Sequence, residues 1–312
     1  MVQTEHTSSL ALTGIDGGNP LGFLAAVGAA NLTRSFCPEL LFSWQVENGA
    51  WRPVFHRCEP DKARFISSLL DTLKSVSTAP FDISDKLPFQ VESFKKSLAA
   101  AQRAATAADR RVVDFLAAFG SEVNPEKEVF QDSKFRMVRS GDSAGQGLSA
   151  YTRAIRKATD GAALQRTLFM PWDYRDDGFS LRWDPIEDQR YALRWRDPSK
   201  SSLKDGPGTM TAANCLATEA LQFYPTMFRS NQRQLATTGF SRHVAAGISF
   251  TWPIWNSAVA LDTVRSLLAM IELHQDRPPR RALGKRGVVE IYRSQRVQQN
   301  QYYSNFSPAQ PP

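Results

Sequence analysis

Residues 12–32, LTGIDGGNPLGFLAAVGAANL, join a glycine-rich loop to a strongly apolar helix start in one unbroken run, and no other stretch constrains the fold as tightly. Asn19 is a favoured N-cap residue and Pro20 suits the first helical position, where its missing N–H costs nothing, so a helix is predicted to open at Leu21 or just before it. Gly22, Ala25, Ala26, Gly28, Ala29 and Ala30 make that helix slim enough for close packing, with Phe23, Leu24 and Val27 as core. Gly14, Gly17 and Gly18 form the loop that feeds it. A loop of this kind can cradle a phosphate on backbone amides, yet the spacing is neither G-x-G-x-x-G nor followed by G-K-[ST], which argues against a nucleotide-cofactor site.

The same run carries a resemblance. NPLGFLAAVG after a short Leu-x-Gly-x-Asp lead-in resembles the opening of CRISPR-associated proteins of type I-G (formerly I-U) systems. These include large-subunit-like proteins of the guide-RNA surveillance (Cascade) complex and a related extension of the helicase-nuclease. Residues 180–199, SLRWDPIEDQRYALRWRDPS, are similar to a second block of those proteins, and QLATTGFSRHVAAGISFTWPIW at 234–255 with LDTVRSLL at 261–268 to a third. The resemblance implies a non-enzymatic antiviral-defence subunit without cofactors. Its implied partners are the backbone subunits with their guide RNA, the target double-stranded DNA and its displaced strand, and the helicase-nuclease. It implies recognition of a motif flanking the target, the PAM, and support for strand separation, with sequence specificity coming mainly from guide pairing. The chain is shorter than many large subunits, so the extension form, acting through protein contacts, stands as the alternative.

A chain of 312 residues can bury a substantial core, and 42% hydrophobic content with seven Trp excludes a largely disordered chain. No apolar run is long enough to span a bilayer, and MVQTEHTSS has no secretory pattern, so a cytoplasmic protein is expected. Cys37, Cys58 and Cys215 are too few and too scattered for a zinc site or a disulfide framework. The histidines His6, His56, His243 and His274 stand singly, and no metal site is predicted. Asp173, Asp176, Asp177, Asp184, Glu187 and Asp188 cluster as in a two-metal nuclease, but they sit at turns, and turn carboxylates explain them better.

Net charge is +7, and its distribution points to nucleic acid. Residues 277–312 hold Arg277, Arg280, Arg281, Lys285, Arg286, Arg293 and Arg296 against Glu290 alone, interleaved with Tyr292, Tyr302, Tyr303 and Phe306. Rings between cations can stack on unpaired bases. A second basic region holds Lys134, Arg136, Arg139, Arg153, Arg156 and Lys157 around the glycine- and serine-rich loop 140–147. Arg153, Arg156 and Lys157 fall on one helical face at i, i+3 and i+4, where they could track phosphates or simply face solvent. The candidate nucleic-acid contacts are therefore Arg281, Lys285, Arg286, Arg293, Arg296, Arg136, Arg139, Arg153 and Arg156. Gly17, Gly18 and Asn19 are the candidate loop for a phosphate or a partner subunit.

The predicted class is α+β. A mixed, hairpin-rich body covers 1–200, with a possible sub-boundary near 125–147, and a more helical, basic C-terminal lobe and tail covers 201–312. Residues 40–46 and 51–56 alternate as a hairpin around Asn48-Gly49. Helices are predicted at 61–76, 94–119, 148–158, 211–224 and 258–275, with Gly120 and Gly161 as stops. Strands are predicted across 168–195, including one through Phe179, Leu181 and Trp183, and at 249–255, with 199–208 as a linker.

Overall fold

The computed structural model describes residues 8–81, 90–107, 109–121, 131–138, 148–187, 208–229, 234–298 and 301–312. Its centre is helix α1 (Pro20–Thr33), buried on every side except at Asn31. It opens as the sequence predicts: Asn19 caps it by accepting a hydrogen bond from the Gly22 amide at 3.1 Å, and Pro20 takes the first position. A helix that is apolar all round must be enclosed by other elements, and three surround this one.

The first is an antiparallel sheet of strands β1 (Ser9–Ala11), β2 (Leu41–Glu47) and β3 (Ala50–His56), in the order β1-β3-β2. Strands β2 and β3 form the predicted hairpin. Asn48 and Gly49 both adopt positive φ, at 53° and 77°, as a two-residue turn of the primed type requires. Helix α2 (Lys62–Ser75), capped by Asp61, covers one end.

Where one helix is expected over 94–119, the chain makes two, α3 (Val91–Ala104) and α4 (Arg111–Phe119). The break is local chemistry. Thr106 Oγ1 accepts from the Asp109 amide and Asp109 Oδ1 from the Arg111 amide, so short polar side chains compete with the helix for its own backbone donors. Strands β4 (Gly120–Ser121) and β5 (Gln131–Asp132) pair as a short ribbon. Helices α5 (Leu148–Ala158) and α6 (Gly161–Phe169) follow, and Asp160 caps α6, so Gly161 begins a helix besides following one.

The strands expected from 168 onward are not formed over 168–187: α6 runs to Phe169, and 170–187 is an irregular segment with one bridge, Asp176 to Thr209, and a 3-10 turn at Pro185–Glu187. Tyr174 and Arg182 adopt left-handed conformations that interrupt a strand, and Asp184 Oδ1 turns back to accept from the Ile186 amide. Leu181 and Trp183 are nevertheless core, while Phe179 faces outward. Residues 188–195 and the proposed linker up to 207 lie outside the described residues.

The second element around α1 is helix α7 (Thr211–Ala220), every residue of which is buried. The two backbones approach so closely that a Cβ on Gly28 would lie 1.8 Å from the Leu216 carbonyl oxygen. Strands β6 (Thr226–Arg229) and β7 (Gln234–Thr237) form a hairpin beyond it.

The third is a four-stranded antiparallel sheet of β8 (Phe240–His243), β9 (Gly247–Trp255), β10 (Val288–Gln298) and β11 (Ser304–Phe306), in the order β11-β10-β9-β8. Between β9 and β10 lie helix α8 (Leu261–Leu268), a 3-10 turn at Ile271–His274 and the short helix α9 (Arg280–Gly284). The C-terminal region is thus less helical than expected. The predicted helix 258–275 stops at Leu268, and the basic tail is largely a strand in which Val288, Ile291 and Ser294 are buried.

Four aromatic rings lock the two sheets onto α1. Phe23 stacks on Trp44 with centroids 5.7 Å apart and meets Trp252 and Trp255 at 5.8 and 6.3 Å. The Trp252 indole donates to the Gly17 carbonyl and the Trp255 indole to the Phe42 carbonyl, each at 2.8 Å. One continuous core runs from Leu10 to Phe306, so residues on both sides of position 200 share it. Among the described residues, no helix is long and apolar enough to cross a membrane.

The α1–α7 contact predicts that Gly28→Ala destabilises the protein by more than about 3 kcal/mol in denaturant unfolding, because two backbones must separate. Gly284→Ala is the control. A Cβ there meets nothing within 4 Å, and its stability should stay within about 1 kcal/mol of the wild type.

Candidate nucleic-acid interface

The two basic segments, far apart in sequence, are brought together by the C-terminal sheet. Arg296 on β10 donates from Nε to the Lys134 carbonyl at 3.1 Å and from Nη2 to the Arg136 carbonyl at 3.0 Å. The Ser304 amide donates to the Met137 carbonyl at 2.8 Å, and Val138 bridges to Tyr303. Residues 134–138 are therefore strapped along the β10–β11 edge by one guanidinium and a short ladder.

Beside the strap lies an aromatic cluster. Tyr151 on α5 stacks on Phe179 at 4.3 Å, and the Arg182 guanidinium sits over the Tyr303 ring at 5.0 Å. Burial, with Tyr303 close by, pushes the Tyr151 hydroxyl above its ordinary pKa. Phe179 and Tyr302 each keep about half of their surface in solvent, at 45% and 50%. Rings presented in this way, with cations among them, are the elements of a base-stacking platform. The charge pattern of the sequence singles out Tyr302 and Tyr303 but not Tyr151, Phe179 or Arg182. Phe179 falls in an expected strand, and only the positive-φ interruptions turn it outward.

The basic candidates separate by where their charge goes. Arg136 is buried against Asp132, and Arg156 is buried against Glu219 while donating to the Leu73 and Val76 carbonyls. The shared face expected for Arg153, Arg156 and Lys157 is thus divided: Arg156 points inward, Arg153 reaches the Phe81 carbonyl at 2.9 Å, and Lys157 is exposed. Arg293 donates to Thr251 Oγ1 and to the carbonyls of Gln275 and Asp276, and burial holds its pKa below the usual arginine value. Arg286 pairs with Glu272 at 2.9 Å, and Arg280 with Glu290 at 2.8 Å. Arg277, Arg281 and Lys285 are exposed and make no ion pair among the described residues. Arg139 and the loop 140–147 lie outside the described residues. Of the tail rings, Phe306 is core, stacked on Phe250 at 5.6 Å, and Tyr292 lies against Trp252 at 5.9 Å.

The glycine loop before α1 spends its polar groups on the protein itself. Asp16 Oδ1 accepts from the Gly18 amide at 2.8 Å, the Gly17 amide donates to the Trp51 carbonyl, and a Cβ on Gly17 would strike the Trp44 ring at 2.7 Å. Asn19 donates from Nδ2 to Asp184 Oδ2 at 3.3 Å, which also accepts from the Tyr174 hydroxyl at 3.0 Å. With a carboxylate already on the loop amide, Gly17, Gly18 and Asn19 form a docking loop for Trp252 of β9 and for the turn at Asp184, with no open amide nest for a phosphate. The acidic cluster likewise disperses. Asp173 and Asp176 face Arg166, Asp176 Oδ2 caps α7 at the Thr211 amide, and Asp184 is buried beneath Asn19. Asp188 lies outside the described residues. Among the described residues, no group of three metal-ligating side chains forms.

No family model matches this chain, and no curated protein does.

Burial pushes the Asp184 carboxyl above its ordinary value of 3.8, so as pH rises the unfolded chain loses this proton first. Stability should fall as pH rises from about 3.8 to the raised value, and Asp184→Asn should flatten that part of the curve relative to the wild type, as read by urea unfolding at successive pH values. Arg296→Ala should cost about 1.5–3 kcal/mol of unfolding free energy by releasing two carbonyls from a charged donor. Arg281→Ala with Lys285→Ala should stay within about 0.5 kcal/mol of the wild type.

Proposed function

We propose that the chain is a non-catalytic, nucleic-acid-binding subunit of a type I-G-like CRISPR surveillance complex, the large-subunit role, acting in the cytoplasm beside the backbone subunits that hold the guide RNA. The observation that carries the reading is the joining of the two basic segments by Arg296 next to the ring cluster of Tyr151, Phe179, Tyr303 and Arg182. The rings can accept bases, and the exposed cations Arg277, Arg281 and Lys285 can neutralise phosphates, a combination that suits the duplex next to a guide-paired target and the strand displaced from it.

A second observation supports the resemblance on which the assignment to a system rests. The first and third blocks and the described part of the second, 180–187, meet in space: Gly17 of the first accepts from Trp252 of the third, and Asn19 of the first donates to Asp184 of the second. Among the described residues, the segments that carry the likeness are in contact with one another. In this role the protein makes positioning contacts to phosphate, while base pairing with the guide supplies most of the specificity. Arg277, Arg281 and Lys285 are the cations best placed to do so without a cost to the fold.

The test is the affinity of a guide-loaded particle for matched duplex DNA, assembled with and without this chain across a series of flanking sequences. Binding is expected only with the chain, and it should depend on the flank. Alanine at Arg277, Arg281 and Lys285 together should weaken binding and lower the slope of log affinity against log salt by about 2–3, close to one unit for each phosphate that is no longer neutralised. A particle that binds equally well without the chain would assign it to the helicase-nuclease instead.

A further inference from the structure

The β8–β9 hairpin ends in Val244-Ala245-Ala246, and Val244 is 94% exposed, more than any other large apolar side chain described. A lone surface valine needs no explanation, but a tip built as firmly as this one does. His243 pairs with Gly247 across the strands, and Gly247 takes φ of 60°, the left-handed residue that closes a three-residue loop. The Ser249 hydroxyl donates to the Ala246 carbonyl at 3.0 Å from inside the turn. Asp276 Oδ1 holds the other side, accepting from His243 Nδ1 at 2.9 Å and from the Val244 amide at 3.4 Å. Arg293 in turn grips the carbonyls of Gln275 and Asp276 at 2.6 and 3.1 Å. His243 is itself buried, and its Nε2 has no hydrogen-bond partner among the described residues, so burying this ring has a cost that the tip does not recover in its own packing.

The flanks of the tip are cationic. Arg242, one residue before His243, and Arg277, one residue after Asp276, are both exposed and make no ion pair among the described residues. Asp276, the carboxylate between them, is occupied by His243 and lies in the field of Arg293. A narrow two-stranded ribbon with small apolar side chains at its end, one exposed arginine on its own strand and another on the segment hydrogen-bonded to it, has the shape and charge to enter the groove of a nucleic-acid duplex. The methyl groups would lie against base edges and the arginines against the two phosphate rims.

We infer that the β8–β9 tip, Val244 to Ala246 with Arg242 and Arg277, is a duplex-binding element, separate from the ring cluster that suits unpaired strands. This assignment rests on the nucleic-acid reading proposed above and gives the duplex part of it to a named hairpin.

The test uses the full chain with a fluorescent duplex of about 30 base pairs and a single strand of the same length. Val244→Asp is expected to weaken duplex binding by about tenfold, the scale of one buried valine, and to leave single-strand binding and the thermal midpoint unchanged. Arg242→Ala with Arg277→Ala is expected to lower the duplex salt slope by about 2. Val46→Asp, at an exposed valine on the first sheet, is the control and should change neither affinity. Duplex binding by Val244→Asp at wild-type affinity overturns the inference and leaves the nucleic-acid reading standing. So does a variant whose only defect is loss of a protein subunit from the assembled particle. A wild-type chain that binds neither probe at low salt overturns both.

Discussion

The contact between Gly28 on α1 and the Leu216 carbonyl on α7 sets the terms for everything around it. Two helices at backbone distance leave no room for side chains between them, so each must find its packing on its other faces. For α1 those faces are Phe23 against the tryptophans of both sheets. For α7 the consequence is electrostatic. Glu219 is fully buried and is met by two guanidiniums, Arg111 in a fork and Arg156 from α5. Removing Glu219 from this cluster would leave two guanidiniums without their shared carboxylate, and the two arginines also donate to Leu73, Val76 and Ser77, the carbonyls around the end of α2. A single close approach thus fixes the positions of α2, α4 and α5 through one carboxylate.

The parts of the fold that are legible in the sequence are those whose signal is local. Asn19 and Pro20 specify a helix start by their own backbone chemistry, and Asn48-Gly49 specifies a hairpin in the same way. The misread parts are those where one residue's role depends on distant partners or on a weak competing turn. Ala-rich 94–119 has helical propensity throughout, and only Thr106 and Asp109 turning onto neighbouring amides reveals the break. At 288–298 the buried residues Val288, Ile291 and Ser294 are three apart, without the alternation of a half-buried strand, because β10 carries a register shift after Val288 and is covered on both faces; only the pairing with β9 reveals the strand.

The same limit applies to the candidate site. Composition counts charges but carries no direction, and a guanidinium has five donors that can serve a carbonyl as readily as a phosphate. Arg293 and Arg296 lie in a strand, where alternate residues point to opposite faces. Each finds backbone oxygens on its own side, Gln275 and Asp276 for one, Lys134 and Arg136 for the other. Charge density picks out two basic segments that do adjoin, yet Arg296, which joins them, is one of the residues it assigns to a ligand. The exposed cations Arg277, Arg281 and Lys285 occupy the connection between β9 and β10, where they make no ion pair among the described residues.

That division gives the outer face of the four-stranded sheet its meaning. His243, Ser249, Thr251 and Arg293 lie on neighbouring strands there and are held by hydrogen bonds where apolar side chains would pack at less cost. What polar groups supply and apolar ones do not is fixed geometry between separate pieces of backbone. This network ties the 244–246 turn to the 275–276 segment, and with it the positions of Arg242 and Arg277 relative to the valine between them. Arginines on independent loops would have to be ordered at the moment of binding, each losing side-chain and backbone freedom. Here Asp276 and Arg293 fix the backbone beside both arginines, so only the side-chain part of that cost remains, which is the physical argument for proposing recognition at this hairpin.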